Sequence, residues 1–155
     1  MNHSVRSNRE YFLQQLGFID ENIKELTNLY LSSTPVQERM KHFFNLYALE
    51  LEELLKRNHK KSIITVFPKV FIGTKVTIKY DDDDETEDYV ICFPDASDPD
   101  QGLISFMSPV GRQLLLKEKG EKIALKIPSG EIAVSINEIS FVGDLFEMEK
   151  KTREA

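Results

Sequence analysis

Ile104-Ser105-Phe106-Met107-Ser108-Pro109-Val110-Gly111-Arg112-Gln113-Leu114-Leu115-Leu116 is the stretch that decides the fold. Residues 103–107 are apolar enough to read as a strand. Ser108-Pro109 stops that strand, because proline has no backbone N–H to give to a ladder. The same pair opens a helix: serine caps the free N–H groups of the first turn, and proline fits the first helical position, where no N–H is needed. Gly111 permits close packing at the corner between strand and helix. The reading predicts a strand, a sharp corner and a short helix over 109–118, with Gly120 as the C-terminal cap.

Downstream, 122–127 and 131–139 read as a hairpin around Pro128-Ser129-Gly130. Upstream, 70–80 alternates in part through Val76, Ile78 and Tyr80, and 89–93 is a second strand. Four or five strands with one short helix make an α+β domain. Between the first two strands runs Asp81-Asp82-Asp83-Asp84-Glu85-Thr86-Glu87-Asp88. It lacks the glycine and the spaced ligands of a calcium loop, so it reads as a solvated hairpin loop.

The first sixty residues follow a different period. Phe12, Leu16, Ile19, Ile23, Leu26 and Tyr30 alternate steps of four and three, as do Met40, Phe44, Tyr47, Leu51 and Leu54. This is the seam of two paired helices, a coiled coil. Ser7 with Glu10, and Thr34-Pro35-Val36-Gln37, have the form of capping boxes. Leu31-Ser32-Ser33 between the helices is long enough only for a tight reversal, so the helices are expected to run antiparallel. Leu13, Leu29, Leu31, Phe43, Leu46, Leu49 and Leu55 widen the apolar surface into what reads as a broad buried face, for the second domain or a second copy. The expected organisation is a helical hairpin over 1–62, a β-rich domain over 63–142 and a charged tail over 143–155.

Composition narrows the function classes. The chain has 155 residues, 41% hydrophobic and 30% charged, within the range of globular domains. No apolar run approaches the roughly 20 residues that span a bilayer, and residues 1–10 contain no signal-like apolar core. The net charge of −6 argues against a general nucleic-acid binder. Residues 1–65 carry nine Lys/Arg against eight Asp/Glu, and 66–155 carry eleven against eighteen, seven of them in the acidic run. Cys92 is a lone cysteine expected in a buried strand position, which fits a reducing cytoplasm. His3, His42 and His59 have no metal-ligand spacing. No G-x-S-x-G or G-x-x-x-x-G-K motif is present. Neither cofactor, metal nor catalytic residue is expected.

The order of motifs from Pro94 onward resembles the C-terminal domain of the Gre family of bacterial transcription elongation factors, whose fold is FKBP-like. The resemblance is carried by Asp98-Pro99, Ile104-Ser105, Ser108-Pro109, Gly111, Leu114-Leu115, Gly120, Pro128 and Gly130, with Phe71-Ile72-Gly73-Thr74-Lys75-Val76-Thr77 at the opening strand. Leu116 stands where the family usually has glycine, Glu121 where it has aspartate, and Val110 where leucine is common. The resemblance implies a protein that docks on the RNA polymerase core, with Asp98, Pro99, Met107, Ser108 and Pro109 on the contact surface. It also implies a coiled coil that enters the polymerase secondary channel, where acidic residues at the family's hairpin tip hold a catalytic Mg²⁺. In this chain the tip, Ser32, Ser33, Thr34 and Pro35, has only Glu38 nearby. A cytoplasmic, non-enzymatic factor that does not stimulate transcript cleavage is therefore expected, similar to the Rnk branch of the family. It would be a monomer or weak homodimer without sequence-specific nucleic-acid or membrane binding. The rival expectations are an FKBP-like prolyl isomerase or chaperone, and an interaction protein that uses the helical face around Phe43, Leu46 and Leu49.

Overall fold

The computed structural model describes residues 8–30, 34–61 and 63–143; the side chains of 23–30, 34–38 and 40 lie outside that description. The chain divides into two compact units, Met1–Ile64 and Thr65–Ala155.

The first unit is a helical pair, α1 (Asn8–Tyr30) and α2 (Thr34–Arg57). At ~1.5 Å per residue each helix is about 35 Å long. Arg9, at the start of α1, donates to the carbonyls of Leu55 and Asn58 at the end of α2, at 2.7 and 3.0 Å, so the helices run antiparallel. Both carbonyls lie at the C-terminal end of α2, where a cation is favoured, and Asn58 N–H and Lys61 N–H also donate to them. Phe12, Ile19, Phe44, Tyr47, Leu51 and Leu54 are buried at the seam, as their spacing predicts. Leu16 is half-buried, and its neighbour Gln15 goes inside instead. The reason is Tyr47, whose fully buried hydroxyl needs a partner and donates to the Gln15 carboxamide. The seam residues Ile23, Leu26, Tyr30 and Met40, and the capping residues Ser7 and Gln37, fall outside the described side chains.

The expected broad buried face divides. Leu55 is buried and Phe43 is half-buried, stacked on Tyr47 at 6.3 Å between ring centroids. Leu13, Leu46 and Leu49 are exposed, Leu49 by 62%. Past α2 the chain returns to Asn8, whose carboxamide accepts from Ile64 N–H at 2.6 Å and donates to Ile64 O at 2.8 Å. Ile64, placed by sequence in the second domain, thus packs at the base of the helical pair.

The second unit is a five-stranded mixed sheet in the order β3-β2-β1-β5-β4. The strands are β1 (Thr74–Tyr80), β2 (Thr86–Cys92), β3 (Leu103–Ser105), β4 (Lys122–Ile127) and β5 (Gly130–Phe141). β1 lies at the centre, antiparallel to β2 and to β5, with a bulge between Thr77 and Ile78 on the β5 side. β3 joins β2 in parallel. Thr74, Val76 and Ile78 alternate inward from β1 and meet Ile91, Phe106, Leu114, Leu125, Val134 and Ile136 in a buried core. The first strand starts at Thr74 rather than Val70. Gly73 has φ of +98°, and the Thr74 hydroxyl donates to Phe71 O, so 71–74 form a turn.

Helix α3 (Pro109–Leu114) is shorter than the expected 109–118, and Gly120 is not its cap. Leu115 leaves the helix with extended backbone, and Leu116 takes a left-handed φ of +67°. A tertiary bond overrides local propensity here: Leu116 N–H donates to Val70 O at 2.7 Å, and Val70 N–H to Lys117 O at 3.0 Å. Gly120 instead donates its N–H to Ile136 O at a φ of +90°.

The Asn8 clamp gives a direct test of the first unit. Asn8→Ala leaves both buried backbone groups of Ile64 unpaired and should lower stability by about 2–4 kcal/mol. Urea denaturation of the full chain, followed by helical circular dichroism, measures it.

Candidate functional site

The corner between β3 and α3 is built around one carbonyl, that of Ser105. Ser108 donates to it twice, through its backbone N–H at 3.0 Å and its hydroxyl at 2.7 Å. The same hydroxyl accepts from Gly111 N–H at 3.1 Å, which makes Ser108 the N-cap of α3. Met107 N–H donates to the Ser105 hydroxyl at 2.9 Å. Gly111 is required by space: a Cβ there would lie 2.1 Å from Ser105 O. Behind the corner Phe106 is fully buried, edge-on to Phe93, and its N–H donates to Cys92 O at 2.9 Å. Cys92 is half-buried in β2, its thiol 3.4 Å from Ile104 O. With these local donors committed inward, the corner presents a half-buried Met107, a half-buried Ser108 and an exposed Pro109.

Asp98 and Pro99 lie at the other end of β3. The ten residues between β2 and β3 fold as two 3₁₀ turns, Pro94–Ala96 and Pro99–Gln101. Asp98 exchanges both backbone bonds with Leu103, at 2.8 and 3.1 Å, and Gly102 closes the turn at φ of +79°. Asp98 is half-buried and Pro99 exposed. The five candidate contact residues therefore sit at the two ends of a three-residue strand, about 10 Å apart at ~3.3 Å per residue.

The acidic run, expected as a loop throughout, divides: 81–85 form the exposed hairpin turn, and Thr86, Glu87 and Asp88 open β2, paired with Lys79, Ile78 and Thr77 of β1. Asp81–Asp88 are exposed throughout, and Asp84 takes φ of +61°. Lys79 approaches Asp84 at 3.5 Å and Lys75 approaches Asp88 at 4.0 Å, exposed pairs that add little stability. Among the described residues no group of three or more His, Cys, Asp or Glu is placed to hold a metal ion. At the hairpin base, Tyr80 donates to the Glu87 carboxylate. That bond, then partial burial, then the Glu87 charge hold the Tyr80 hydroxyl well above the usual tyrosine range. Burial first, then the Glu87 charge, also raises Tyr89. Of the helical tip, Ser32 and Ser33 lie outside the described residues; Thr34, Pro35 and Glu38 fall in the first two turns of α2, their side chains outside the description.

At this corner a further contact escaped sequence reading. Gln113 of α3 donates to Lys126 O at 2.8 Å and to Pro109 O at 3.0 Å, and accepts from Lys126 N–H at 2.7 Å. Its only signal was an amide side chain inside a helix of six residues.

Residues 65–141 match the family described as transcription elongation factor GreA/GreB, C-terminal. GreA from a Nitratiruptor species is 30% identical over 145 residues, which cover 92% of this chain and 74% of that protein. This chain belongs to the Gre family. GreA of Desulfovibrio desulfuricans is 41% identical over 75 residues, 48% of this chain and 46% of that protein. The chain thus spans about half the length of most of the curated relatives it matches. A solved GreA/GreB from Nitrosomonas europaea overlaps 62% of this chain and 95% of its own, with a TM-score of 0.44 and 22% identity. No helix among the described residues is long and apolar enough to cross a membrane.

Two measurements check this Gre-family unit. Gly111→Ala must displace the Ser105 carbonyl and should cost about 3 kcal/mol in urea denaturation. Tyr80 has a folded pKa above its unfolded value near 10, so its contribution is complete below about pH 10 and is lost as pH rises through the folded pKa. Wild type should lose more stability between pH 9 and 11 than Tyr80→Phe, compared by the same denaturation.

Proposed function

We propose that this chain is an RNA polymerase-binding transcription factor that acts at the secondary channel, modulating elongation or competing with other Gre factors. It docks through the corner at Met107, Ser108 and Pro109, with Asp98 and Pro99 at the flank. The observation that carries the reading is the Ser105–Ser108–Gly111 lock, which holds an exposed proline and a half-exposed methionine on a backbone whose local bonds are satisfied inward. Such a corner meets a partner without having to reorganise, which keeps the entropic cost of binding low. Kinship with GreA along most of the chain supports the polymerase as that partner.

The protein does not stimulate transcript cleavage and is not itself an enzyme. Support comes from the tip sequence 31–38, where Glu38 is the single carboxylate. A Mg²⁺ ion held by a protein needs carboxylate oxygens in near-octahedral array, and one acid supplies few of them.

The test is fluorescence-detected binding to core RNA polymerase of the same organism, with an authentic GreA as competitor. Mutually exclusive binding is expected. Pro109→Ala should weaken binding about five- to tenfold, the loss of roughly 1 kcal/mol of contact. Added to a backtracked elongation complex, the protein should leave the rate of transcript cleavage at its intrinsic value. Binding that GreA does not displace would overturn the placement, and accelerated cleavage would overturn the second half.

A further inference from the structure

We infer that Gln113 is a positioning residue for the docking corner, its carboxamide tying the first turn of α3 to the edge strand β4. The inference rests on the docking role proposed above for Met107, Ser108 and Pro109.

Helix α3 has only six residues, too few to hold its own shape in water. Its orientation must come from outside bonds. One set lies at its N-terminus, where Ser108 is held by Ser105 at the end of β3. A second follows its C-terminus, where Leu116 and Lys117 pair with Val70, and the third is Gln113. β4 is the last strand of the sheet, so one of its backbone edges has no strand partner. The hairpin closes through a two-residue turn with Ile127 opposite Gly130, and the pairing alternates from there. Ile127, Leu125 and Ile123 bond to β5, while the N–H and C=O of Lys126 face outward. Gln113 takes both of them, as the peptide group of a sixth strand would. A carboxamide carries the same donor and acceptor face as a peptide.

Its remaining amide hydrogen goes to Pro109 O. Pro109 is the exposed residue of the corner, and this bond connects its own carbonyl to the sheet through a single side chain. The corner is thus held from both sides, by a serine hydroxyl at β3 and a glutamine carboxamide at β4.

Two variants separate the tie to Pro109 from the cover on β4. Gln113→Ala removes all three bonds. Gln113→Glu keeps the acceptor for Lys126 N–H and removes both donors. Both are made in the full chain and read by polymerase affinity, hydrogen exchange of the Lys126 amide and urea stability. Exchange at Lys126 should accelerate about tenfold in Gln113→Ala and stay near wild type in Gln113→Glu. Affinity should fall about fivefold in both. Combined with Pro109→Ala, Gln113→Ala should add less than its separate effect, because both act on one contact. Unchanged affinity in the Gln113 variants, with Pro109→Ala still weak, would overturn the inference and leave the docking corner standing. A loss of affinity fully accounted for by unfolding, or one additive with Pro109→Ala, would also overturn it. No effect of Pro109→Ala would remove the docking corner and this inference with it.

Discussion

The second unit hangs on the carbonyl of Ser105. Two donors from Ser108 converge on it, and the absence of a side chain at Gly111 lets the first turn of α3 come within reach. That contact turns the chain out of β3 at one angle only. The angle carries Leu114 and Leu115 into the core. It then delivers Leu116 and Lys117 alongside Val70, where they pair with the segment that leads into β1. The central strand, its entrance and the edge hairpin are thus all referred to one buried oxygen. A bulkier residue at 111 would disturb every one of them, because packed interiors transmit displacement rather than absorb it.

What the sequence revealed and what it concealed follow the range of the forces involved. The Ser-Pro-x-Gly corner was legible because its bonds span three residues, and the hairpins were legible because turn chemistry is local. The acidic run read correctly as solvated because seven carboxylates have no way to share a dry site, but its last three residues pair with β1 as strand, which their composition does not show. The length of α3 was not legible. Nothing in 115–118 forbids a helix; the carbonyl of Val70, forty-six residues upstream of Leu116, ends it. The buried polar residues were hidden for the same reason. Gln15 is interior because of Tyr47, and Asn8 because of Ile64, partners 32 and 56 residues away. The candidate contact residues were found in order along the chain, but sequence gave no sign that they divide between the two ends of β3.

The helical pair shows how polar groups specify what apolar ones only favour. Phe12, Ile19, Phe44 and Leu51 would tolerate a shifted register, since any apolar seam buries similar area. The Gln15–Tyr47 bond, the Arg9 bonds and the Asn8 clamp would not, because each is lost if the helices slide, and the first and last then leave buried polar groups unpaired. Apolar burial supplies the bulk of the stability of the hairpin, and these three contacts choose its alignment.

The pairing of Thr74 with Phe141 and of Tyr80 with Val134 bears on how the chain is made. A ribosome releases β1 long before β5, at a rate of some 5–20 residues per second. β2 and β3 close on one flank of β1 as soon as they emerge, through local connections. The other flank of the central strand waits for nearly the whole remainder of the domain. During those few seconds it offers a bare row of N–H and C=O groups, the template on which nascent chains aggregate. Its residues on that flank include Lys75, Thr77 and Lys79, whose polar and charged side chains discourage a neighbouring chain from pairing there before β5 arrives.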